Sequence, residues 1–163
     1  MLAAHLVLVH VLAVFWLVAG IVGRFVALST AGRATDLASL RTLVGLGGLF
    51  ERAFVQSATL VVFLTGLLAA WLRGWPILGA LQGASVNWVL AAIIVYLTII
   101  PVIVFVMVPK GRALQTALAE AGAQGQVTPA LKAAMADPVV GVARTYEFLM
   151  VVVLAWLMIA HPF

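Results

Sequence analysis

Residues Phe50 to Leu72 read FERAFVQSATLVVFLTGLLAAWL. A charged pair, Glu51 and Arg52, opens the stretch, and no charge follows within it. A run of ~20 uncharged, mostly apolar residues is what a helix needs to cross the ~30 Å hydrocarbon core of a bilayer. Three further stretches share this character, at about residues 3–28, 86–108 and 139–161. The pattern predicts an all-α polytopic membrane protein: a four-transmembrane-helix bundle forming a single membrane domain over residues 1–163.

Composition agrees. Of 163 residues, 66% are hydrophobic and 9% charged, and the mean hydropathy is +1.24. A water-soluble domain carries about 25% charged residues, so an ordinary solvated surface is excluded. The lipid bilayer is the first partner implied. There is no cysteine, which removes disulfides, thiolate metal sites and cysteine nucleophiles from consideration. Nine Lys and Arg against five Asp and Glu give a pI near 10.4. In a membrane protein such cations mark one side of the bilayer, and no basic run points to nucleic acid. Met1 to Val9 contains no Lys or Arg and the apolar run continues to Gly23, so the start reads as a retained first span rather than a secretory signal.

The cations are distributed unevenly. Arg24, Arg33, Arg41 and Arg52 flank the first connection; Lys110, Arg112, Lys132 and Arg144 flank the third; Arg73 alone falls on the second. The positive-inside rule makes the side with eight cations cytoplasmic. Both termini are then expected on the outer, periplasmic side of a bacterial inner membrane. The first connection, 29–48, is expected to hold a short helix capped by Thr35 or Asp36 and ending near Thr42, after which Gly45, Gly47 and Gly48 loosen the chain. The third, 109–138, reads as an amphipathic cytoplasmic segment: two short Ala-rich helices, 113–121 and 129–136, lying on the membrane surface around GAQGQ. Pro101 is expected to kink or break the third span.

Within the spans, polar and small residues share faces. His10, Ala13, Leu17, Gly20 and Arg24 follow three-four spacing on the first, and Arg52, Gln56, Thr59, Phe63, Gly66 and Ala70 on the second. In lipid, helices associate through close approach of small residues and interhelical hydrogen bonds, so these faces are expected to turn inward.

Two sets of side chains are candidate sites. Arg24, Glu51, Arg52, Arg144 and Glu147 gather at the basic ends of three spans. Two carboxylates against three arginines suggest pairing between spans, Glu51 with Arg144 or Glu147 with Arg52. The cluster then pins helix ends or uses its surplus cation to hold an anion, a lipid headgroup or a partner. The second set is histidine. In this threading His5, His10 and His161 all lie toward the outer face, as candidate ligands of haem. His5 and His10 do not share a helical face, and no carboxylate accompanies them, so packing at the interface is the competing reading. Nucleotide-binding loops, a Ser-His-acid set and an outward carboxylate pair are not found in the sequence, so no catalytic residues are assigned.

The segments HVLAVFWLVAGIVGRF, from His10 to Phe25, and LTGLLAAWLRGWP, from Leu64 to Pro76, resemble an uncharacterised bacterial family of four-span integral membrane proteins carrying a Thr-Gly-Leu late in the second span, here Thr65-Gly66-Leu67. More distantly, the first span is similar to those of copper-resistance-D-like proteins and of the four-helix membrane protoporphyrinogen oxidase that binds b-haem. That second likeness implies haem b at His10. The leading functional reading is a non-enzymatic accessory or structural subunit of a membrane complex, in contact with other membrane subunits. The alternative is a b-haem or tetrapyrrole-linked redox protein using His10, with His5 or His161 as second ligand. A small transporter or metal-handling protein is a third.

Overall fold

The computed structural model describes residues 2–162. Helix α1 is Leu2–Ala31, α2 is Leu37–Leu72, α3 is Trp88–Gln124, α4 is Pro129–Met135 and α5 is Pro138–Ala160. No strand occurs among the described residues. Helices α1, α2, α3 and α5 are long and apolar enough to cross a membrane. The chain is therefore a four-helix membrane protein.

Helices α2 and α3 run much further than expected. The chain does not loosen at Gly45, Gly47 and Gly48, which lie inside α2. Likewise the stretch 113–121 is not a separate surface helix but the continuation of α3. At 1.5 Å per residue these helices extend about 54 Å, against a ~30 Å hydrocarbon core. Their ends project beyond it and pack together. Leu40 and Val44 of α2, Ala117 and Ala121 of α3, Leu131 of α4 and Ala31 of α1 form one buried cluster. This second apolar core overrides the weak helix propensity of the three glycines. Asp36 starts α2, its carboxylate accepting from the Ser39 N–H at 2.8 Å. The Ser39 N–H holds the Asp36 carboxyl below its ordinary value. Thr128 caps α4 through the Leu131 N–H, with Pro129 at the first helical position.

Both long helices widen once. Residues Phe50–Gln56 of α2 and Ile103–Met107 of α3 are wound as π-helix. The second follows Pro101, which α3 accommodates without ending. A π segment adds a residue to the turn and rotates everything before it relative to everything after it. Arg52 and Gln56 consequently lie exposed, whereas Val55 and Ala58 are buried. The expected inward face of the second span thus holds only from Thr59 to Ala70. The expected face of α1 is observed: Ala13, Gly20 and Arg24 are buried, and His10 and Leu17 half-buried.

The helices pack mainly as two pairs. Helix α1 lies along α2, and α3 lies along α5. Between the pairs, Phe63 of α2 stacks on Tyr96 of α3 at 4.8 Å, and the Tyr96 hydroxyl donates to the Thr59 carbonyl at 3.3 Å.

Candidate functional site

The charged cluster is assembled as a three-helix junction. The Arg24 guanidinium of α1 donates through one terminal nitrogen to Glu51 of α2 and through the other to Glu147 of α5. The partners differ from those expected from sequence. Neither Glu51–Arg144 nor Glu147–Arg52 forms, because the π turn carries Arg52 outward and places Glu51 on the α1 side. The Arg24 and Glu147 side chains are 6% and 9% exposed and Glu51 is 30% exposed. Gln56 supports Glu51 from the open side, donating at 3.2 Å. Arg144 precedes Glu147 by one turn and is half-buried. The Nε–H groups of Arg24 and Arg144 are both buried without an acceptor. Two cations and two carboxylates leave the layer electrically balanced, as a membrane-embedded cluster requires.

Glycines permit the approach. A Cβ on Gly20 would stand 2.6 Å from the Phe54 Cβ, and one on Gly23 would stand 2.5 Å from the Phe50 ring. Close helix contact at small residues is the usual device in lipid, and here it brings the Arg24 fork within reach of Glu51.

His10 occupies a seat built by α2. Its Nδ1 is 3.0 Å from the Val62 carbonyl oxygen and 3.2 Å from the Thr65 hydroxyl. A carbonyl only accepts, and the Thr65 hydroxyl already donates to the Val61 carbonyl at 2.6 Å. These partners assign the hydrogen to Nδ1, so in the neutral ring the lone pair is on Nε2. No hydrogen bond reaches Nε2 among the described residues. Gly66 makes room for the ring: a Cβ there would meet His10 Cε1 at 2.9 Å. Thr65 and Gly66 are thus explained by the histidine they seat. Both lay on or beside the inward face legible in the sequence, but their partner did not.

The other histidines are placed differently. His161 ends α5 with φ 43° and stacks on Trp88 at 4.2 Å, with Trp75 at 5.9 Å. It belongs to the α3/α5 pair, and no contact joins it to His10 among the described residues. His5 is exposed on the first turns of α1. Among the described residues no group of three His, Cys, Asp or Glu is arranged to hold a metal ion.

A bundle of apolar helices crossed by one balanced ionic layer defines a polytopic integral membrane protein. The chain belongs to the family described as predicted integral membrane protein (DUF2269), which matches residues 4–162. No curated protein and no solved structure matches it.

Proposed function

We propose that this protein is a non-enzymatic accessory or structural subunit of a membrane complex. Its place is the bacterial inner membrane, with the basic, projecting end in the cytoplasm and both termini in the periplasm; the unequal distribution of the nine cations supports that orientation. The observation that carries the functional reading is where the polar groups are directed. Arg24, Glu51 and Glu147 hold one another, Thr65 and Tyr96 bond backbone carbonyls, and Tyr146 bonds Thr98. The outer faces carry Phe15, Trp71, Phe105 and Ile159, all largely exposed on the protein. Specific association with another subunit then takes place sideways in the bilayer and at the projecting end. Mild-detergent extraction followed by native electrophoresis tests this. The expected result is a species containing a second polypeptide in fixed ratio. A lone 17.2 kDa chain that keeps its fold and restores wild-type behaviour in a deletion strain would overturn it.

A second reading, a b-haem or other tetrapyrrole carried on His10, is favoured by the His10 seat itself. Metal-ligating histidines characteristically donate the other ring N–H to a carbonyl or carboxylate, as Nδ1 does here to Val62. The bound macrocycle would supply one-electron chemistry, and Nε2 of His10 would hold its iron. Oxidised and dithionite-reduced spectra of the purified protein decide the matter. A Soret band near one haem per chain, lost in His10→Ala, supports the reading, and a colourless folded protein defeats it.

A further inference from the structure

The projecting end carries a cleft of about 480 Å³, within the range of small-ligand sites. One wall is the turn between α1 and α2, including Arg33 and Thr35; the other is α4 with Lys132 and Met135. Leu40 and Val127 form an apolar floor. No acidic residue lines it. Asp36, adjacent to the lining, has its carboxylate turned onto the Ser39 N–H. Arg33 and Lys132 are exposed, and neither is in an ion pair among the described residues. Two elements far apart in sequence thus bring two uncompensated cations to one concavity.

Depth matters as much as charge. Ala31, on the cleft wall, lies seven residues beyond Arg24 on α1, or about 10 Å along the helix axis. Arg24 belongs to the ionic layer that ends the apolar spans. The headgroup zone is roughly 5–7 Å deep on each side of the hydrocarbon. The cleft therefore opens about 3–5 Å outside that zone, a distance that long Arg and Lys side chains span to reach back to phosphate level. Basic pockets at this level between helices suit phosphate-bearing headgroups.

We infer that the cleft between the α1–α2 turn and α4 binds the phosphate of an anionic phospholipid headgroup, held by Arg33 and Lys132. The site does not depend on the accessory-subunit reading. The test is native mass spectrometry of the delipidated protein titrated with phosphatidylglycerol and, in parallel, with phosphatidylcholine. One phosphatidylglycerol is expected to be retained preferentially. Arg33→Gln combined with Lys132→Gln is expected to weaken it about tenfold or more. Arg41→Gln with Arg112→Gln removes two exposed cations outside the cleft and is expected to leave that retention unchanged. All four residues are exposed, so both variants keep the fold. Equal loss in the two double variants, or no preference for the anionic lipid, would overturn the site. Inorganic phosphate that binds as well as the lipid and displaces it would overturn the lipid assignment and identify a soluble phosphate instead.

Discussion

The α1/α2 pair and the α3/α5 pair solve one problem by different means. Lipid gives no hydrophobic drive between helices, so each pair needs another source of cohesion. Helices α1 and α2 use absence of side chain: Gly20, Gly23, Gly47 and Gly66 each face a neighbour that an added Cβ would strike. That closeness also lets His10 and Arg24 find partners on α2. Helices α3 and α5 use bulk and hydroxyls. Trp88 is 5% exposed and covered by His161, and the Tyr146 hydroxyl donates to Thr98 at 2.5 Å. Gly141 on α5 has nothing within 4 Å of the position its Cβ would take. Contact by shape resists small changes poorly; contact by larger side chains spreads the same energy over more atoms.

The contrast can be broken most severely at Arg24, which serves both pairs. Arg24→Gln removes the ion-pair partner of the buried Glu147 carboxylate and should destabilise the fold by about 3–5 kcal/mol in detergent-micelle unfolding. Adding Glu147→Gln should recover part of that loss, and strict additivity would refute the pairing. Overpacking comes next. Gly20→Leu is expected to cost about 1–3 kcal/mol. Gly141→Ala should be neutral or stabilising by up to about 1 kcal/mol, since the site is open. Equal effects at the two glycines would erase the distinction drawn between the pairs. Tyr146→Phe should cost only about 0.6 kcal/mol, the usual scale of a hydrogen bond between membrane helices. The smallest effect lies at the projecting end. Because Asp36 titrates below its ordinary value, its cap stabilises α2 above the unfolded-state pKa and is lost as pH falls through the lowered folded-state value. Amide exchange at Ser39 should quicken over that acidic range, and Asp36→Asn should remove the pH dependence while retaining a cap.

Much of this was legible in the residues. Four long apolar runs need no tertiary information, because the bilayer imposes their length. The α1 face was legible for a similar reason: regular winding preserves three-four spacing from His10 to Arg24. What failed did so where winding or propensity was overridden. Arg52 and Gln56 left the inward face because a π turn shifts the phase, and neither residue signals that turn. Gly45, Gly47 and Gly48 stayed helical because Leu40, Val44, Ala117 and Leu131 pack around the extended helices. The ionic partners were the hardest to read. Choosing Arg24 for both carboxylates depends on which helices touch, information that resides in the glycines and not in the charges.

Arg24 also sets an order of events during synthesis. Its first partner follows 27 residues later and its second 123 residues later. The α1–α2 hairpin can enter the membrane with Arg24 held by Glu51 alone, well before α5 has left the ribosome. Only the last helix delivers Glu147, with Arg144, and completes the three-helix junction. A chain stopped at Ala136 lacks Glu147 and should be cleared faster in pulse-chase than the full-length protein. Both terminal nitrogens of Arg24 are paired only once the final span has arrived.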